Sequence, residues 1–161
     1  MLLAALALLS TMQGRHGHLM VDRQAPAEVA AARHLYAHAQ PGATIILATP
    51  NFPSRLAANY GEFNRTVAGP DPDLVPGAGL RDAMLNVQYL PVIESYAESI
   101  PGRPTYLVVS DGMRRYATYF GALPDGSLDA LERTLQRDPE WTVWYDNGEV
   151  TIYEWSPAPT P

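Results

Sequence analysis

Two short apolar runs constrain the fold of this chain more than any other feature. Ala43-Thr44-Ile45-Ile46-Leu47-Ala48-Thr49 and Thr105-Tyr106-Leu107-Val108-Val109 are almost wholly apolar or β-branched. A strand with one wet face alternates apolar and polar residues. A run without that alternation reads as a strand covered on both faces, the kind found in parallel sheets. Each run follows a Pro-Gly pair, Pro41-Gly42 or Pro101-Gly102, which stops a helical pattern upstream of it.

The helical patterns supply the crossovers that parallel strands require. Pro26 suits a first helical position and Glu28 complements a helix N-terminus. Val29, Ala32, Leu35, Tyr36 and Ala39 then recur at helical spacing. Residues 54–79 are the least readable stretch. Arg55 to Thr66 fits a short helix or an irregular strand, and Ala68 to Gly79 reads as loop. A helix is expected from about Leu80 to Ser99, broken or kinked at Pro91. After the second strand, Asp111 is expected to cap a helix running to Phe120, ended by Gly121. Ser127 is expected to cap the next helix, with Leu128, Leu131 and Leu135 on one face. Asp138-Pro139 stops it. In the closing segment, aromatic and β-branched runs flank Asn147-Gly148, a strong hairpin signal. The expected fold class is α/β: a three-layer, Rossmann-like single domain over residues 26–155. It has a small parallel core sheet and a C-terminal antiparallel hairpin at the edge. Residues 156–161 read as a disordered tail.

The chain opens with nine apolar residues, Met1–Leu9. As a helix they rise roughly 14 Å, about half of a ~30 Å hydrocarbon core, and extension to Met12 still falls short of a span. No positive region precedes Leu2 and no A-x-A-like site follows, so a signal peptide fits poorly. A core helix would show polar positions at helical period, and this stretch is apolar all round. The preferred reading of residues 1–12 is the remnant of a membrane-spanning helix, with residues 13–25 as a connector. A degenerate signal or anchor, and a core helix, are the alternatives.

Charge and composition exclude several classes. The net charge of −6 lacks the basic face that nucleic-acid binding needs. There is no Cys, which removes disulfides and thiolate chemistry. All 11 basic residues are Arg, which removes Schiff-base and P-loop chemistry. Lysine-free composition rich in Ala, Pro, Gly and Arg points to a high-GC coding sequence, as in actinobacteria.

Individual motifs read as structural. His34 and His38 lie at i, i+4 on one helix face, but no third ligand is evident. His16-Gly-His18 sits in the connector. Gly77-Ala-Gly79-Leu-Arg-Asp82 lacks the last glycine of a dinucleotide fingerprint and does not follow a strand. Asn64-Arg-Thr66 is a sequon by pattern only, and Asp71-Pro-Asp73 reads as turn. Ser110-Asp111-Gly112 has no evident His partner. Trp141, Trp144, Tyr145, Tyr153 and Trp155 fit a sugar-stacking platform, although hairpin alternation sends about half of them into the core. No catalytic residue, metal ligand or cofactor is assigned.

The best site argument is topological. In open parallel sheets, ligands bind beyond the carboxyl ends of the strands. The segments leaving those ends carry Asn51 and Arg55 after the first strand, and Asp111, Arg114 and Arg115 after the second. Together they are the candidate ligand-binding residues, suited to a phosphate or an acidic sugar.

The stretch from Pro26 to Ile46, P-A-E-V-A-A-A-R-H-L-Y-A-H-A-Q-P-G-A-T-I-I, follows an apolar helix end and a short connector. It resembles the C-terminal domain of actinobacterial multi-spanning membrane proteins, glycosyltransferase-like and of the polyprenyl-phosphate-sugar class. The ending W-T-V-W-Y-D-N-G-E-V-T-I-Y-E-W resembles the hairpin that closes such domains. The similar segments cover residues 26–49 and 103–155. The resemblance implies a non-catalytic domain on the extracytoplasmic side of the cell membrane, assisting the positioning of a glycan or polyprenyl-phosphate sugar. In that class the catalytic acid lies between membrane helices, so no catalytic residue is carried over. The rival readings are a stand-alone membrane-tethered binding or scaffold module, and a soluble Rossmann-like enzyme, for which no nucleotide fingerprint follows either strand.

Overall fold

Both apolar runs form strands, and the two lie side by side in parallel. The computed structural model describes residues 23–67, 89–100 and 102–156. Strand β1 is Thr44–Leu47 and β3 is Thr105–Ser110, every residue of both being buried. Thr44 pairs with Thr105 and Leu47 with Val108. The chain approaches both strands in the same way: Gly42 and Gly102 each take φ +82°, a conformation open to glycine at little cost. At Gly42 the space is also occupied. Arg103 Nη1 donates to the Gly42 carbonyl oxygen at 3.0 Å, and a Cβ on Gly42 would collide with that guanidinium.

Among the described residues the sheet has five strands in the order β2-β1-β3-β5-β4. Strand β2, Asn64–Val67, pairs in parallel with the outer side of β1. It falls in the stretch where the hydrophobic pattern is weakest, just after two 3-10 turns. A four-residue polar strand, Asn-Arg-Thr-Val, carries no readable periodicity, and pairing with β1 is what makes it a strand. Strands β4 (Trp141–Asp146) and β5 (Val150–Trp155) form the expected antiparallel hairpin. The Asn147 side-chain oxygen accepts from the Glu149 and Val150 amides and holds the turn. Strand β5 pairs with β3, which leaves β4 at the edge. The molecule is thus mixed α/β, with a parallel half and an antiparallel half.

Four helices accompany the sheet among the described residues: α1 (Pro26–His38), α2 (Tyr89–Glu98), α3 (Asp111–Phe120) and α4 (Ser127–Leu135). Pro26 opens α1, as expected. Pro91 is the third residue of α2, and the upstream part of the expected helix, residues 80–88, lies outside the described residues. Two expected caps are shifted by one residue. Ser110, not Asp111, caps α3, its Oγ accepting from the Met113 amide at 3.1 Å. Gly126, not Ser127, precedes α4, and the Ser127 hydroxyl donates instead to the Pro124 carbonyl oxygen. In each case the chain turns one residue earlier than the hydrophobic pattern implies.

Alternation along β3 sorts the contacts. Tyr106, Val108 and Ser110 point one way; Ser110 meets Glu28 of α1, and Tyr106 meets Trp144 of β4. Leu107 and its partner Tyr153 point the other way, where the Tyr153 hydroxyl donates to Glu132 of α4. The Trp141 indole, at the start of β4, donates to Glu94 of α2 at 3.1 Å. One cluster of buried apolar side chains draws on β1, β3, β4, β5 and all four helices. Burial of this kind contributes roughly 25 cal/mol per Å² of apolar area.

Glu28 ties the first helix to the third. It is 2% exposed and has no cationic partner among the described residues. Its Oε1 accepts from Ser110 Oγ at 2.6 Å and its Oε2 from the Ala25 amide at 3.1 Å. The carboxylate therefore sits in the first turn of α1 and against the start of α3, where two sets of unpaired amides favour negative charge. Gly112 makes room for it: a Cβ there would overlap the Glu28 carboxylate.

Residues 1–12, expected as a membrane-span remnant, and most of the connector lie outside the described residues, as do His16, His18, Asp71, Asp73, the Gly77–Asp82 motif and the tail from 157. No helix among the described residues is long and apolar enough to cross a membrane.

Candidate functional site

Because β1 and β3 are parallel neighbours, the segments bearing the candidate residues leave the same end of the sheet. Their surroundings then diverge. The turn after β1 runs over Pro50–Pro53 into a 3-10 turn, Ser54–Leu56. Beside it lies a cavity of about 450 Å³, bounded by Leu47, Phe52, Ser54, Arg55 and, from β2, Arg65. Both Arg55 and Arg65 are exposed, and neither has a carboxylate partner among the described residues. The Arg65 guanidinium lies 4.6 Å from the centroid of the Tyr60 ring, a contact that holds the cation without neutralising it. Asn51, two residues past Thr49, accepts from the Thr49 hydroxyl at 2.5 Å and braces the turn.

The segment after β3 is different in kind. Arg114 is held by three carboxylates: Asp111 Oδ1 at 2.8 Å, Asp129 Oδ1 at 2.8 Å, and Glu132 Oε2. Burial opposes its charge, but the bond to Asp129 and the charges of Glu132 and Asp111 outweigh it and push its pKa up. Two of those carboxylates belong to α4, so Arg114 fastens α3 to α4. Asp111 is the first residue of α3 and half-exposed. Arg115 is exposed and makes no ion pair among the described residues. Of the five candidates, only Arg55 borders the cavity. Arg65, which sequence reasoning does not single out, borders it too. The only signal for Arg65 is an Arg in an unreadable stretch, and β2 pairing is what brings it to Arg55.

The remaining motifs take structural places. The His34 ring stacks on His38 at 4.3 Å and on Tyr145 at 4.4 Å, and approaches Trp144 at 5.1 Å. A bulge between Val143 and Tyr145 turns both Trp144 and Tyr145 toward α1. Burial, then the neighbouring His38, lowers the His34 pKa. No group of three or more His, Asp or Glu side chains suited to a metal occurs among the described residues. Trp141, Tyr153 and Trp155 are buried, while Trp144 and Tyr145 are half-buried against His34. Asn64 of the sequon lies in β2, its amide nitrogen 3.5 Å from Thr44 Oγ1. Ser110 is fully buried beneath Glu28, where no substrate reaches it. The chain matches no family model, no curated protein and no solved structure.

Proposed function

We propose that this chain is a non-catalytic binding domain that holds an anionic group, and that the cavity beside the turn after β1, bordered also by Arg65 of β2, is where it does so. The observation that carries this reading is the pair of exposed guanidiniums, Arg55 and Arg65, at one cavity with no carboxylate against them among the described residues. An arginine fork matches phosphate and carboxylate oxygens geometrically. The ligand class proposed is a phosphorylated or acidic glycan, including a polyprenyl-phosphate sugar. The wider setting rests on the resemblance of residues 26–49 and 103–155. It is an extracytoplasmic domain of an actinobacterial membrane glycosyltransferase, tethered through the apolar N-terminal segment. We also infer a Rossmann-like, three-layer arrangement over residues 26–155. In its support, α1 meets one side of β3 through Ser110, and α4 meets the opposite side of the sheet through Tyr153.

The test is a titration of the full chain, in mild detergent, with farnesyl phosphate and separately with glucose 1-phosphate, followed by amide NMR shifts. Shifts centred on residues 50–56 and 65 are expected. Arg55→Ala should weaken binding about tenfold or more, as loss of a charge-assisted hydrogen bond does. Absence of binding by both ligands overturns the proposal.

A further inference from the structure

The cavity has donors of a second kind behind its arginines. Ser54 borders it and is buried. The Ser54 hydroxyl donates to the Phe52 carbonyl oxygen over a long 3.4 Å, while the Ser54 amide already donates to that same oxygen at 2.7 Å. The hydroxyl is therefore poorly used where it is, and rotation about one bond redirects it. The helix α1 packs against this turn, and its Tyr36 is 2% exposed, the ring packed edge-on against Phe63 at 5.1 Å. The Tyr36 hydroxyl is buried and has no hydrogen-bond partner among the described residues; burial pushes its pKa up, and the Ser54 side chain and the Arg65 charge offset part of that rise. A buried hydroxyl left unpaired is costly and rare. Here it belongs to the helix that packs against the turn bordering the cavity.

We propose that Ser54, backed by Tyr36, is the donor at the floor of this site, and that the site selects a phosphate monoester over a carboxylate. This rests on the reading that the cavity holds an anion. A carboxylate is planar, with two oxygens, and a single arginine fork satisfies it. A phosphate monoester presents three acceptor oxygens in a pyramid. Two guanidiniums at the rim and one hydroxyl below supply donors from separate directions, which suits the pyramid. On binding, the Ser54 O–H turns from Phe52 to a phosphate oxygen, and the Tyr36 O–H donates to the Ser54 oxygen. Tyr36 is a positioning residue and Ser54 a contact residue.

The experiment compares glucose 1-phosphate with glucuronate, which share a hexose and differ in the anionic group, by calorimetric titration of the full chain. The wild type is expected to favour glucose 1-phosphate by roughly tenfold or more. Ser54→Ala should reduce that preference several-fold. Tyr36→Phe should reduce it too, with thermal unfolding unchanged or slightly raised, because it removes a buried hydroxyl that has no hydrogen-bond partner among the described residues. Arg55→Ala should weaken glucose 1-phosphate more than glucuronate, because Arg65 alone still satisfies the carboxylate. Equal affinity for the two ligands, or an unchanged preference in both Ser54→Ala and Tyr36→Phe, overturns the proposal while leaving anion binding intact. Binding of neither ligand by the wild type overturns both.

Discussion

Arg55 and Arg114 begin as equals. Each lies in the segment that leaves the carboxyl end of a parallel strand, and those strands are neighbours. Arg114 ends up among three carboxylates and Arg55 faces a cavity. The difference lies in what the following chain brings back. After β3 the chain makes two consecutive helices, and α4 returns Asp129 and Glu132 to the side chain of α3. After β1 it makes two 3-10 turns and a short strand, and what returns is a second arginine. The same residue type at the same topological position is thus a structural rivet in one place and, in the other, an exposed cation beside a cavity without a carboxylate partner among the described residues.

The largest expected effect is on the sheet behind the Arg114 network, where Tyr153 shares Glu132 with that arginine. Burial, then Glu154, pushes the Tyr106 hydroxyl up to about 12. Burial, then Glu132, does the same to Tyr153, also to about 12. Below pH 10 both are protonated in the folded and unfolded chain, and their stabilisation is fully present. Between pH 10 and about 12 the unfolded chain gives up these protons first. Stability therefore falls by several kcal/mol, since each proton held by the folded chain alone is worth about 1.4 kcal/mol for every pH step. Urea midpoints across this range should show the loss, and Tyr153→Phe should shrink it. A flat profile in the wild type contradicts the burial of both hydroxyls.

Next comes Gly112→Ala. The added methyl meets the Glu28 carboxylate in a site with no slack, and a loss of about 3 kcal/mol is expected. Chemical unfolding would measure it. A neutral result means that Glu28 can leave the start of α3 freely. Arg114→Ala should cost less, about 1–2 kcal/mol. Its side chain is 29% exposed, and two of its three partners are about half-exposed and screened, while Glu132, at 15%, is not. Binding of glucose 1-phosphate should not change. A loss of binding in this variant erases the contrast between the two arginines.

The smallest effect on stability is expected at Arg55→Ala, within about 0.5 kcal/mol, although the same substitution should have the largest effect on anion affinity. If instead it destabilises the fold by as much as Arg114→Ala, Arg55 is a second rivet.

Much of the fold was legible locally. The Pro-Gly pairs, the unbroken apolar runs, the leucine spacing of α4 and the Asn-Gly turn each depend on residues close in sequence, and the elements they mark appear where expected. Strand β2 was legible only as one of two alternatives for Arg55 to Thr66, a short helix or an irregular strand, because its strand character comes from pairing with β1 and not from its own side chains. The cap positions missed by one residue for a related reason. Hydrophobic spacing locates a helix face, whereas the cap is chosen by which oxygen reaches the free amides.

The candidate site was legible only as a place. Residue identity and short-range spacing were enough to dictate the parallel strands, the hairpin, an arginine-only set of cations and the absence of thiol chemistry. Which arginine has no carboxylate partner among the described residues was decided by packing. Polar partners are set by proximity in space: Glu132 reaches Arg114 from 18 positions away, and Ser110 reaches Glu28 from 82. No local pattern encodes those pairings, since the side chains meet across elements that only the packed sheet brings together.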